Sequence, residues 1–269
     1  MISLPDLNQP FEIKIILCFL FLTAASFQDL KTRAVSDSVW VKLLLCNLPI
    51  LMFETKTVGL SYAAAIFISG LLMAIISASF FYLKIWGGAD AKALICLSVL
   101  FPAQPDGLFL DSIPIATLSN STVFVLTLPV FLFLKNILDF KKRHEKIKPK
   151  ELPLFLTGYK TDVWNLIKTQ TNKKGNKRLN LYPLLIERYD FSSQNPPVTQ
   201  KVIFSGIDFR EEGEQNYVEN LRKSIVAGKI DKYGWVTPGV PYLIPISFGF
   251  LTTICFGNLF LKITLFLFK

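Results

Sequence analysis

The stretch Trp86-Gly87-Gly88-Ala89-Asp90-Ala91-Lys92 is short and polar, contains paired glycines, and lies between two long apolar runs. An aspartate in such a place costs about 2.5–3.5 kcal/mol on insertion scales if it enters hydrocarbon unpaired. An ionisable residue at the edge of an apolar run is therefore a functional hypothesis. The first question for the rest of the chain is which residue partners Asp90.

Composition indicates a membrane protein. The chain has 269 residues, 51% of them hydrophobic, with 24 phenylalanines. Several apolar runs approach or exceed the roughly 18–20 residues that cross a bilayer as a helix. We predict an α-helical polytopic membrane protein whose six transmembrane helices lie at residues 11–27, 39–53, 59–83, 91–101, 119–138 and 242–268. Small residues in the third run, among them Ser69 and Gly70, predict close packing against another helix.

A basic segment separates the fifth and sixth runs and carries most of the formal net charge of +9. Its composition is strand-like at 152–159, 179–186 and 202–204. An amphipathic helix is predicted at 212–227, ended by Gly228. We therefore predict a small α+β cytosolic domain inserted before the last helix.

The predicted domains follow from these boundaries. Residues 1–138 form the membrane domain with helices one to five, residues 139–235 form the cytosolic insertion, and residues 236–269 form the sixth helix. Residues 235–241 are interpreted as the connection that leads back into the membrane.

Several classes of chemistry have few residues to support them. The only histidine is His144, and the four cysteines Cys18, Cys46, Cys96 and Cys255 lie inside apolar runs with no CxxC spacing. We therefore predict small buried cysteines, no metal site and no cofactor. No recognition motif accompanies the basic charge, so a bilayer surface is the expected partner and nucleic acid is not.

The distribution of Lys and Arg predicts the orientation. If six helices alternate, one side receives Lys31, Arg33, Lys84, Lys92, Lys135 and the cluster 141–143. By the positive-inside rule that side is cytoplasmic, and both termini are extracytoplasmic. Asp29 and Asp90 then lie on the same cytoplasmic side at similar depth.

Two carboxylates in that arrangement can hydrolyse a peptide bond. One, ionised, takes a proton from the attacking water, and the other, protonated, supports the developing oxyanion. A pair held close shares a proton and titrates as a unit. Asp29 ends the first helix and Asp90 opens the fourth, so they are the candidate catalytic pair. Gly87 and Gly88 would let the backbone turn sharply and let a substrate strand or helix come close.

Structural explanations remain open for each acid taken singly. Asp90 could cap the fourth helix, and Asp29 could pair with Lys31 or Arg33. Asp37, a third acid on the same side, is better explained as a cap of the second helix beside Ser36 and Ser38. Lys92 could lower the pKa of Asp90 or orient substrate. An interfacial anchor is, however, the more common role of lysine near a helix end.

The residues around Asp29 and Asp90 resemble the motifs of a known protein family. Gln28-Asp29-Leu30-Lys31-Thr32-Arg33, together with the stretch 86–92, resembles the GxGD membrane aspartyl proteases, in particular archaeal preflagellin and type IV prepilin peptidases. The six-helix arrangement and the insertion before the last helix also resemble that family. One departure is Ala89, which stands where the motif has glycine, so Gly87, Gly88 and Ala89 support the motif as GGAD.

The resemblance implies a membrane aspartyl endopeptidase. It implies removal of a short basic leader from archaellin or type IV pilin-like precursors at the cytoplasmic membrane face. Because larger bacterial relatives carry paired cysteines and an N-methyltransferase activity, a chain without such a pair is expected to be a peptidase only. Two alternatives from other classes stay open: a proton-coupled transporter that uses the aspartates as a relay, and a non-catalytic assembly subunit that uses them structurally.

Overall fold

The computed structural model describes residues 8–32, 34–83, 87–103, 112–143, 149–163, 183–189, 200–207, 215–238 and 241–267. Arg33, Lys84, Trp86, His144 and residues 212–214 of the helix predicted at 212–227 fall outside these ranges. The described chain forms two compact units, Met1–Leu126 with Pro241–Lys269, and Thr127–Val240. Helix α5 contributes its first part to the first unit and its last part to the second.

The helices of the described residues run in chain order, with these bounds: α1 Asn8–Thr32, α2 Asp37–Val58, α3 Leu60–Tyr82, α4 Gly88–Leu100, α5 Ile113–Arg143, α6 Leu152–Thr157, α7 Gln215–Val226, α8 Leu243–Phe256 and α9 Leu259–Leu267. The strands are β1 Tyr159–Asp162, β2 Pro183–Tyr189, β3 Gln200–Ile207 and β4 Tyr233–Pro238. The second helix predicted at 39–53 is longer than expected, because α2 begins at Asp37 and continues to Val58.

Within the part of the chain that the structure describes, four helices are long and apolar enough to cross a membrane, namely α1, α2, α3 and α5. Helices α8 and α9 would make a fifth span if the bent pair counts as one. Helix α4 has 13 residues, about 20 Å at 1.5 Å per residue, which is short of a full crossing. The chain is thus a mostly helical membrane protein with four to five candidate spans and a small sheet.

The predicted single helix over 242–268 was wrong, because the chain breaks between α8 and α9 and bends there by 69°. Gly257 has φ of +70°, a left-handed conformation that glycine adopts without steric cost. Asn120 of α5 fills the break. Its Nδ2 donates to Thr253 Oγ1 at 2.9 Å and to the Gly257 carbonyl at 3.0 Å. Its Oδ1 accepts from the amides of Leu259 and Phe260.

Helix α4 is the centre of the first unit. Most of its side chains are buried, and they share a core with residues of α1, α2, α3 and α8. The predicted close approach at Ser69 and Gly70 is confirmed. The Ser98 hydroxyl donates to the Ser69 carbonyl at 2.7 Å, and a Cβ on Gly70 would lie 3.2 Å from Val99. The short α4 is therefore held by its neighbours on several sides.

The second unit contains an antiparallel sheet in the order β1-β4-β2-β3. Its core joins Phe140 of α5 to Leu154, Phe155, Ile186 and Trp235. The predicted helix at 212–227 is confirmed over α7, with Leu221 buried.

Two predictions for this unit were wrong. Most of 152–159 is helix α6, which has a proline in its first turn, where the missing N–H has no helical partner to lose. Residues 235–238 belong to β4 and are not a connection. The Trp235 ring stacks on Phe140 at 6.1 Å between centroids, so the strand completes the core.

Candidate active site

Asp90 lies in the first turn of α4 and is only 6% exposed. Its Oδ2 accepts a 2.9 Å hydrogen bond from the Gly87 amide. Its Oδ1 is buried without a hydrogen-bond partner among the described atoms. The capping explanation is thus correct for one oxygen, since the carboxylate satisfies a free amide at the helix start. The second oxygen is not used by the helix.

Asp29 lies near the end of α1 and is half-buried. The Asp29 carboxylate lies within electrostatic range of Asp90. The structure therefore brings together the two acids that the sequence singled out. They come from α1 and α4, whose sequence positions are separated by two intervening helices.

Gly87 and Gly88 differ in what surrounds them. Gly87 has φ of −78° and ψ of 161°, extended backbone that needs no glycine. A Cβ on Gly87 would lie 3.2 Å from Asp90 Oδ2, whereas one on Gly88 would meet Phe81 at an ordinary 3.9 Å. Gly87 thus leaves room for the Asp90 carboxylate to fold back on the backbone. Ala89 is half-buried and packs against the apolar core.

Lys92 forms an ion pair with Asp37. Both side chains are exposed, and the pair connects the start of α4 to the start of α2. The prediction that Asp37 caps α2 was wrong. Ser36 occupies the cap position without a side-chain cap bond, and the Ser36 and Ser38 hydroxyls contact each other at 2.9 Å.

Tyr242 lies within electrostatic range of Asp90, which the sequence did not predict. It precedes α8, is partly buried against the core, and hydrogen-bonds with the Thr122 side chain. The charge of Asp90 acts on its phenol. A second contact anchors this helix nearby, because the hydroxyls of Ser26 on α1 and Ser247 on α8 lie 2.9 Å apart. The available signal was a polar aromatic residue at the start of the last apolar run.

The sequence predicted no metal site and small buried cysteines. Over the described ranges, no three His, Cys, Asp or Glu side chains form a group that could hold a metal ion. The cysteines are free, but only Cys18 and Cys96 are buried. The prediction of burial was wrong for Cys46 and Cys255, which face outward from the helices that carry them.

Two family models match the chain. The type IV leader peptidase family matches residues 16–138, which contain Asp29 and Asp90. A second model, described as Archaeal Peptidase A24 C-terminus Type II, matches residues 150–259. Together the two matched ranges include most of both units and the start of the last helix pair.

Three related proteins match this chain in sequence over nearly its full length. A preflagellin peptidase from Methanocaldococcus jannaschii is 28% identical over 252 residues, with 88% of this chain and 91% of the relative covered. One from Methanococcus voltae is 26% identical over 257 residues, covering 91% and 96%. A third, from Methanococcus maripaludis, is 26% identical over 258 residues, covering 91% and 96%.

These matches support a membrane peptidase that processes leader peptides. The chain is similar to the type IV leader peptidase family over residues 16–138 and to the archaeal C-terminal peptidase model over residues 150–259. The resemblance found in the sequence is thereby confirmed.

Proposed function

We propose that this chain is an aspartyl endopeptidase that removes the short basic leader from archaellin or type IV pilin-like precursors. The relatives are named preflagellin peptidases, and precursors of that kind are the substrates that we infer for this chain. The observation that carries the proposal is the buried carboxyl of Asp90, which has one oxygen unused by the helix and lies within electrostatic range of Asp29.

The proposed mechanism uses the pair as a unit. Two close carboxylates do not both ionise easily, so they share one proton. The ionised member takes a proton from water as its oxygen attacks the scissile carbonyl. The protonated member donates to the developing oxyanion. The first carboxyl then gives the proton that it took from water to the departing amine, and the second carboxyl regains its proton as the new carboxyl product forms. The Gly87 amide keeps the Asp90 carboxylate oriented throughout.

The proposed topology has six membrane segments, with α4 as a short one enclosed by its neighbours. Asp29 and Asp90 face the cytoplasm and both termini are extracytoplasmic, as the positive-inside rule predicts. A precursor helix lying in the bilayer beside α1 and α4 would place its leader boundary at the depth of the aspartates. Membrane anchoring then supplies much of the orientation in advance. We infer peptidase activity alone, without N-methyltransferase activity.

The two alternatives predict different behaviour. A proton-coupled transporter needs ionisable groups near mid-membrane on facing helices, whereas Asp29 and Asp90 lie at helix ends. A non-catalytic assembly subunit would tolerate Asp90→Asn, because an asparagine side-chain oxygen also accepts the Gly87 hydrogen bond.

The experiment is precursor cleavage in liposomes, followed by gel shift. Asp29→Asn and Asp90→Asn are expected to abolish leader removal while the protein stays inserted. Glu12→Gln is the matched control, because Glu12 is an exposed acid on the same helix as Asp29. Cleavage retained by both aspartate variants would exclude the pair as the catalytic group.

A chelator separates the aspartyl mechanism from metal-assisted hydrolysis. EDTA is expected to leave the cleavage rate unchanged. Loss of activity in EDTA, restored by adding a divalent metal, would contradict the proposed mechanism and leave leader removal itself in place.

A further inference from the structure

A buried ion pair lies at the end of α1 that is remote from Asp29. Lys14 Nζ is 2.7 Å from Glu54 Oε1 and 2.8 Å from Oε2. It also donates to the Leu100 carbonyl at 3.0 Å, and the Tyr62 hydroxyl donates to Glu54 at 2.7 Å. Lys14 is 2% exposed and Glu54 is 6% exposed. We call these four residues the Lys14 cluster.

Four helices meet in the Lys14 cluster. Lys14 lies near the start of α1, Glu54 near the end of α2, Tyr62 near the start of α3, and Leu100 is the last residue of α4. The ammonium also lies 5.2 Å from the ring centroid of Phe101. A buried pair of this kind adds little net stability compared with an apolar pair of similar volume, so a role in fixing arrangement has to be considered.

The geometry relates the cluster to the aspartates. Lys14 and Asp29 are 15 residues apart on α1, about 22 Å along the axis, and Leu100 and Asp90 are 10 residues apart on α4, about 15 Å. The two helices run in opposite directions, and side chains lean toward the N-terminus of their own helix. The side chain of Asp29 therefore leans along the axis toward the Lys14 cluster, and the side chain of Asp90 leans away from it. The two leans bring the carboxylates toward each other along the axis.

We propose that Lys14 and Glu54 are positioning residues that set the axial register of α1 against α4. A slide of α1 by one helical turn would move Asp29 by about 5.4 Å along the axis relative to Asp90. The register claim concerns the helices alone. Its consequence for catalysis rests on the proposed function of Asp29 and Asp90.

A disulfide reporter measures the register without any substrate. Ser26→Cys and Ser247→Cys replace two hydroxyls that lie 2.9 Å apart on α1 and α8. Helix α8 contributes no residue to the Lys14 cluster, so movement of α1 changes this distance. The background carries Cys46→Ser and Cys255→Ser, because these two thiols are exposed. The rate of disulfide formation is measured in liposomes, and kcat and KM for leader removal are measured in the chain without the reporter cysteines.

Three variants separate register from stability. Lys14→Met leaves Glu54 buried without its cation, and we expect disulfide formation to slow by about tenfold as α1 shifts. Lys14→Arg keeps the charge and the donors, and its rate should stay close to that of the parent. The double variant Lys14→Met with Glu54→Leu removes both charges. We expect it to keep the parent melting temperature yet form the disulfide slowly, with kcat lowered and KM unchanged.

The outcomes are distinct. Parent-like disulfide formation and kcat in the stable double variant would overturn the proposal and leave the cluster a stability role only. If Lys14→Met fails to fold, the double variant and Lys14→Arg still decide the question. If the parent protein cleaves no precursor and the Lys14 variants still form the disulfide slowly, the register claim is supported and the proposed function is contradicted.

Discussion

The Gly87 amide donates a 2.9 Å hydrogen bond to Oδ2 of Asp90, and the missing Gly87 side chain leaves the space that this contact occupies. The first glycine of the motif therefore serves the carboxylate directly. Its neighbour Gly88 is the first residue of α4 and has no comparable contact.

Substitution by alanine should therefore have different effects at Gly87 and at Gly88. In Gly87→Ala the new Cβ lies 3.2 Å from Oδ2, tight enough to push the carboxylate, and we expect kcat to fall about tenfold. In Gly88→Ala the new methyl has ordinary contacts, and helix propensity adds up to about 1 kcal/mol of stability. Cleavage rates and thermal unfolding of the two variants check this. Equal rates for both would contradict it.

The exposed ion pair between Lys92 and Asp37 should contribute little to stability. Pairs of this kind are worth about 0–1 kcal/mol because water and salt screen them. We expect Lys92→Gln, Asp37→Asn and the double variant to unfold within about 1 kcal/mol of the parent. A double-mutant cycle of unfolding free energies measures the coupling. A coupling well above this range would show that the pair fastens α2 to α4.

Tyr242 should contribute to turnover through its hydroxyl. Tyr242→Phe keeps the ring that packs on the core but removes the phenol on which the charge of Asp90 acts. We expect kcat to fall about tenfold with KM unchanged. Thr122→Val is the control, since it removes the Thr122 hydroxyl while the phenol stays. Parent activity in Tyr242→Phe would limit Tyr242 to a packing role.

Asn120 should control the break between α8 and α9. Asn120→Leu leaves the amides of Leu259 and Phe260 without their acceptor, and we expect a loss of about 1–3 kcal/mol in unfolding free energy. Hydrogen exchange at those two amides should accelerate. Asn120→Asp keeps the acceptor and should protect them. Unchanged exchange in Asn120→Leu would show that the bend forms without this side chain.

The sequence predicted what depends on local pattern. Long apolar runs identify α1, α2 and α3, and the polar stretch between two such runs identified Asp90, because hydrophobicity is read over neighbouring residues. The break at Gly257 was not predicted, since the Asn120 side chain that fills it is 137 residues away in sequence.

The sequence did not predict strand β4 or the position of Tyr242, and the physical reason is the same for both. Trp235 is fixed by Phe140 and Phe155, which are remote in sequence. The place of Tyr242 beside Asp90 depends on how α8 packs in the first unit, through contacts such as Ser26 with Ser247. Side-chain packing between elements decides both, and neither local composition nor periodicity encodes it.

The central claim is that Asp29 and Asp90 act as a unit. The most direct measurement is single-turnover leader cleavage, with enzyme in excess, by Asp29→Asn, by Asp90→Asn and by the double variant. Groups that act together are strongly non-additive, so the double variant should lose no more rate than either single one, about 10⁴-fold or more in each case. Losses that multiply in the double variant, or a single variant that cleaves at the parent rate, would contradict the account.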